Sequence, residues 1–203
     1  ECTCMLTDIN DEFATADIMM KRNGQIWAIL SGWQNRRLEI DEPLWNVSMS
    51  PLHNRLSAEI APGVFMFNNA YTRVVSWDFI LKRYFNQTEK QYHHNLLPNK
   101  RRTWMISRVA VKDAVRNLLN TQKQQACYPI AFEIYSDEFR KPYVKGGLTE
   151  GIQVSIAHKG TDAVAIARLD EAVGIDIELI EARSPAFFDL VFTDIEMLLL
   201  EGR

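Results

Sequence analysis

Between Gly151 and Glu178 the chain carries three short apolar segments separated by turn chemistry, and that pattern restricts its fold more than any other stretch. Apolar and polar residues alternate from Ile152 to His158, which sets Ile152, Val154, Ile156 and His158 on one face of a strand. Lys159-Gly160-Thr161-Asp162 supplies a hairpin turn into the apolar run Ala163 to Leu169. Asp170-Glu171 breaks the chain again, and Val173 to Ile177 has the length of a third strand. With a period of two, Gly174, Asp176 and Glu178 share one face while Val173, Ile175 and Ile177 share the other. Two carboxylates then point the same way, beside a glycine that leaves room for a ligand.

Upstream, Thr103 to Asn120 predicts a helix, with Trp104, Ala110, Val111, Ala114, Val115 and Leu118 on one arc. Arg108, Lys112 and Arg116 form a basic stripe beside that arc, at i, i+4 and i+8. Lys100-Arg101-Arg102 adds three more cations before it. A half-buried row of like charges repels itself unless an anion sits on it. Arg116 reads equally well as a solvated residue. Lys141 stands before Pro142, which holds it extended and suits it to present an ammonium to a phosphate. Ser76 reads as the N-cap of a helix carrying Phe79, Ile80 and Tyr84, and His93 and His94 read as solvated loop residues. Thr193-Asp194-Ile195-Glu196 spells a capping box.

Three blocks in this order carry a family resemblance: Val154-Ser155-Ile156-Ala157-His158, Gly174-Ile175-Asp176-Ile177-Glu178 and Phe192-Thr193-Asp194-Ile195-Glu196. With Arg108 to Arg116 and Lys141-Pro142, the chain from about Trp45 onward resembles the 4'-phosphopantetheinyl transferases of the larger, surfactin-synthetase-activating type. The resemblance implies an α+β fold of antiparallel sheets packed with helices, the first half and the opening of the second half of a pseudo-twofold enzyme. It implies Asp176 and Glu178 as catalytic residues and Mg²⁺ ligands, and Arg108, Lys112, Lys141 and His158 as contacts to coenzyme A. The partner it implies is an acyl or peptidyl carrier protein, on the same polypeptide or another, within a polyketide or fatty-acid multienzyme. Ala157 and Lys159 depart from the family pattern, which more often has Ser at the first and Ser or Thr at the second. The family's Trp-x-x-Lys-Glu helix would lie downstream of Arg203, so the 203 residues are expected to be inactive alone.

Residues 13 to 40 predict a β-hairpin turning at Asn23-Gly24, with Ile26, Ala28 and Leu30 on one face and a mixed edge through Leu38. Asn-Gly-x-x-Trp-Ala followed by Gly-Trp-x-x-Arg-Arg resembles the closing strands of double-hotdog dehydratase domains. Turn and linker residues from Asp41 to Gly63 then place a boundary near Pro43 to Trp45, giving domains 1–44 and 45–203.

A net charge of -3 argues against broad nucleic-acid binding and disfavours a metal-dependent nuclease built on Asp176 and Glu178. Cys2, Cys4 and Cys127 are too few and too unevenly placed for a disulfide framework, which points to a reduced, cytoplasmic setting. No apolar run reaches the ~18 residues needed to span a bilayer. The competing expectation is a coenzyme A- or carrier-protein-binding structural module with an incomplete active site.

Overall fold

A computed structural model describes residues 1–36, 39–68 and 70–201. Two compact units divide between Trp45 and Asn46. Antiparallel sheets and helices make the fold mixed α+β.

Unit one, Glu1–Trp45, is a three-stranded antiparallel sheet of β1 (Cys2–Ile9), β2 (Phe13–Arg22) and β3 (Gln25–Arg36), in that spatial order. The expected hairpin is there, with a further strand beside it. Asn23 and Gly24 both have positive φ, 52° and 79°, which is the type I′ geometry whose twist matches the strands it joins. At Asn10 the side-chain oxygen accepts from the backbone N–H of Glu12 and Phe13, turning β1 into β2. Register places Cys2, Cys4 and Leu6 against Met20, Ile18 and Ala16, which in turn face Ala28, Leu30 and Trp33. One face of the sheet is therefore continuously apolar. Arg37 and Leu38, where the edge was expected to continue, lie outside the described residues.

α1 (Glu42–Met49) crosses the division. Unit two follows with β4 (Ala58–Ala61), β5 (Val64–Asn68), α2 (Val74–Tyr84), α3 (Gln87–Asn95) and α4 (Pro98–Gln122). A 3-10 turn at Pro129–Ala131 leads to β6 (Glu133–Ser136), β7 (Pro142–Lys145), β8 (Ile152–Lys159) and β9 (Asp162–Leu169). α5 (Pro185–Val191) and α6 (Asp194–Glu201) complete it. The six strands form one antiparallel sheet in the order β4-β5-β9-β8-β7-β6.

α4 packs on β9, β5 and β8. Its apolar arc buries Val109, Ala110, Val111, Ala114, Val115 and Leu118. In register, Phe65 faces Ala165 and Phe67 faces Ala163, so bulky rings on β5 flank small residues on the central strand. Alanines at 163, 165 and 167, all buried, leave the backbone of β9 open to close approach by the helix. Each fully buried valine contributes roughly 1.5–3 kcal/mol relative to exposure. Pro98 opens α4 at its first turn, where its missing N–H costs nothing, so the helix runs five residues further upstream than Thr103.

Two other boundaries differ from expectation. α2 begins at Val74 with Arg73 as N-cap, and Ser76 is buried inside it. α3 spans His93 and His94, so these are helical residues. Asn86 and Glu89 start α3 with a reciprocal capping box that the polar composition of the segment hides. Before α6, Thr193 and Glu196 make the expected box: the Thr193 N–H donates to Glu196 at 2.8 Å and the Glu196 N–H to Thr193 at 3.4 Å.

Candidate functional site

The basic stripe of α4 divides into three different environments. Lys112 is fully buried, and its ammonium donates to Glu89 Oε2, the Pro129 carbonyl and the Phe132 carbonyl, each at 2.8 Å. An ammonium has three hydrogens, and all three are taken. This corrects the expected phosphate role: the anion that neutralises Lys112 is the protein's own Glu89, from the neighbouring helix. Burial pushes the Lys112 ammonium below its ordinary value, and the Glu89 carboxylate opposes that shift.

Arg116 is also buried, which corrects its reading as a solvated residue. It donates to Asp113 and to the carbonyls of Asn54, Pro51, Leu52 and Cys127, pinning two loops onto the helix. Two of the three preceding cations are engaged as well. Arg101 donates to the carbonyls of Leu96 and His94 and so closes the C-terminal end of α3. Arg102 lies over the Trp77 ring at 4.3 Å.

Arg108 differs from both. It lines a cavity of about 150 Å³ between α3, α4 and β6, together with Glu89, Tyr92, Trp104, Tyr135 and Ser136. One terminal nitrogen reaches the Ser136 hydroxyl at 3.4 Å, while Nε is buried with no hydrogen-bond partner. Burial weighs against its charge. The 173–178 segment contributes nothing to this cavity's lining. Sequence reasoning found Arg108 but missed the pocket, because no local pattern shows that the β6 wall, with Ser136 28 residues beyond Arg108, folds back onto α3 and α4.

Val173 to Ile177 is not the expected third strand: from 173 to 178 the backbone is unladdered beside β8. Its attachments are side-chain ones. Ser155 Oγ accepts from the Ile175 N–H at 3.2 Å, and Lys159 pairs with Glu178 at 2.7 Å. The period-two exposure nevertheless persists. Val173, Ile175 and Ile177 are half-buried, while Gly174, Asp176 and Glu178 are exposed. A Cβ built on Gly174 meets nothing within 4 Å, so the space beside the carboxylates is open. The Lys159 ammonium holds the Glu178 carboxyl below its ordinary value.

Strand register sets the other candidates in relation to this segment. Ser136 faces Pro142, and Tyr143 faces Gln153 in the antiparallel β7–β8 pair. Lys141, exposed just before β7, lines a pocket with Glu150, Gly151, Ile152 and Gln153 at the start of β8. His158 pairs with Ala163 on the face that α4 covers, and is itself exposed. Ser155 and Lys159, which hold the 173–178 segment, project from the opposite face. His158, Asp176 and Glu178 thus lie toward one end of β8, with His158 and the carboxylates approached from different faces.

Among the described residues, no three His, Cys, Asp or Glu side chains cluster as a metal-binding group, and no helix is long and apolar enough to cross a membrane. No protein-family model matches the chain, and no curated protein matches it.

Proposed function

We propose that residues 45–203 form the first half, and the opening of the second, of a 4'-phosphopantetheinyl transferase. The observation that carries this reading is the exposed pair Asp176 and Glu178, on one side of an extended segment held to β8 by Ser155 and Lys159. The reading assigns the Lys141 ammonium, just before β7, to the phosphates of coenzyme A, and His158, on β8, to the nucleotide or a phosphate. Lys112 is left out because its ammonium is enclosed, and Arg108 because it belongs to a separate cavity.

In the proposed reaction the hydroxyl of a carrier-protein serine attacks the β-phosphate of coenzyme A. A new phosphorus–oxygen bond forms to serine and the pyrophosphate bond breaks. Phosphopantetheine stays on the serine, adenosine 3',5'-bisphosphate leaves, and the hydroxyl proton passes to solvent. Asp176 and Glu178 fit Mg²⁺, which takes one or two carboxylates plus substrate phosphates. When bound, the ion would supply charge neutralisation at the pyrophosphate. Lys141 would orient the phosphates, and His158 would hold the nucleotide or a phosphate from the face covered by α4.

Residues 1–44 are proposed to be the closing strands of a hotdog-like dehydratase domain. The support is a twisted antiparallel sheet with one continuously apolar face, the form such strands take when packed on a helix.

The test supplies the 203 residues with a second half of this enzyme type and incubates them with coenzyme A, Mg²⁺ and an apo carrier protein. A phosphopantetheine mass increment on the carrier is expected, and Asp176→Ala should abolish it while the fold persists. Full turnover in that variant would remove the carboxylate site. The Lys159–Glu178 ion pair favours a second reading, a module that binds coenzyme A or a carrier without transfer. Saturable coenzyme A binding with no mass increment on several carriers would establish that reading instead.

A further inference from the structure

Burial without a hydrogen bond is costly for a polar atom, on the order of 1–3 kcal/mol. Three such atoms belong to residues that line the cavity between α3, α4 and β6, Glu89 Oε1, Trp104 Nε1 and Arg108 Nε, and a fourth, His93 Nε2, to a residue beside it. Glu89, Trp104 and Arg108 line the cavity, and the His93 ring lies 5.7 Å from that of Trp104. Two of the four are N–H donors and one is a carboxylate acceptor. The remaining walls are aromatic: Tyr92 stands 5.7 Å from Trp104, and Tyr135 lines the β6 side. A single water needs about 10–15 Å³ of cavity, so 150 Å³ is roughly ten times what one water fills.

The Arg108 guanidinium, 5.8 Å from the Trp104 ring centroid, is engaged at one terminal nitrogen, and its remaining N–H groups are donors suited to the oxygens of a planar or tetrahedral oxyanion. Trp104 adds a second type of donor nearby, and aromatic rings favour a flat apolar body over bulk water. We propose that this cavity is a small-molecule site for an oxyanion carried on a flat body, an aryl carboxylate or aryl phosphate. The oxyanion sits on Arg108 and Trp104, and Glu89 Oε1 accepts from a donor on the ligand. The site is distinct from that proposed for coenzyme A and stands whether or not the transferase reading does.

The experiment follows the indole N–H resonance of Trp104, assigned through Trp104→Phe, in the 203-residue chain. Inorganic phosphate, benzoate, salicylate and phenyl phosphate are titrated separately, with and without saturating coenzyme A. Salicylate carries the donor for Glu89 and benzoate lacks it, while phenyl phosphate separates the phosphate source from the carboxylate one. Expected is a saturable downfield shift with an aryl oxyanion, unchanged by coenzyme A. Arg108→Met should weaken binding by roughly ten- to a hundred-fold, the range for a hydrogen bond to a charged group. Arg108→Lys, which keeps the charge and loses the guanidinium, tests the same point should the Met variant unfold. No saturable shift with any probe overturns the proposal, as does binding that survives both Arg108 variants. Displacement by coenzyme A would merge the cavity with the nucleotide site and also overturn it.

Discussion

Lys112 Nζ lies 2.8 Å from Glu89 Oε2 across the α3–α4 contact, with neither side chain more than 5% exposed. A charge pair this deep tolerates the loss of both partners better than the loss of one. Lys112→Met leaves the Glu89 carboxylate and two backbone carbonyls without their donor, and should cost about 3–5 kcal/mol in urea unfolding. Adding Glu89→Gln, which preserves the capping contact to Asn86, should recover part of that loss. A cost near 0.5 kcal/mol, the range of surface substitutions, would show that the ammonium is not enclosed.

Asp113 joins parts of unit two that no strand ladder connects. Its Oδ2 accepts from the N–H groups of Leu56 at 3.0 Å and Ser57 at 2.9 Å, while Oδ1 accepts from Arg116 at 3.0 Å and from the Tyr84 hydroxyl at 3.1 Å. Asp113→Asn puts an N–H₂ where only acceptors fit and leaves Arg116 without its carboxylate. Unfolding should show a loss of about 3–5 kcal/mol. Tyr84→Phe keeps the ring and should cost only about 0.5–1.5 kcal/mol for its hydrogen bonds. Equal losses for the two variants would contradict Asp113 as the hub.

The alternation of β8, the Asn23-Gly24 turn and the apolar arc of α4 were legible because each is a local pattern with one physical solution. The fate of the basic stripe was not. Arg108, Lys112 and Arg116 are equivalent in spacing, yet one faces a cavity, one meets a carboxylate from α3, and one clamps loop carbonyls. Those partners are 11 to 65 residues away in sequence, beyond the reach of any periodicity argument. At Val173 to Glu178 the period of two correctly gave which side chains face solvent. It did not give a ladder, because alternation follows from extended backbone beside an apolar surface, with or without a paired strand.

His93 offers a pH test of the α3–α4 contact. Burial lowers its pKa first, and the nearby positive charges of Arg101 and His94 lower it further. The unfolded chain takes up the proton near pH 6.5 while the folded chain resists it. Stability is therefore fully present above about pH 6.5 and is lost as pH falls through the lower folded-state value. Denaturant midpoints measured from pH 7.5 downward should decline, and His93→Phe should flatten that decline. An identical pH profile in the variant would mean that another group causes it.

The Lys159 ammonium contacts Glu178 at 2.7 Å. Both groups are exposed, so the pair is screened by salt and holds Glu178 only loosely. If Glu178 is a ligand for Mg²⁺ with coenzyme A, Lys159 competes with the ion for the same carboxylate. Lys159→Ser should return the Glu178 carboxyl toward its ordinary titration range, an upward move visible by carboxyl-carbon NMR. It should also tighten Mg²⁺-dependent coenzyme A binding several-fold in calorimetry at low ionic strength, with the gain shrinking as salt rises. Glu178→Gln should abolish the difference between the Lys and Ser forms. Should Glu178 move as expected while coenzyme A and Mg²⁺ affinities stay fixed, the ion pair is real and Glu178 is not a metal ligand. Asp176 would then be the only one of the two carboxylates left to hold the ion, too little for the proposed site on this segment.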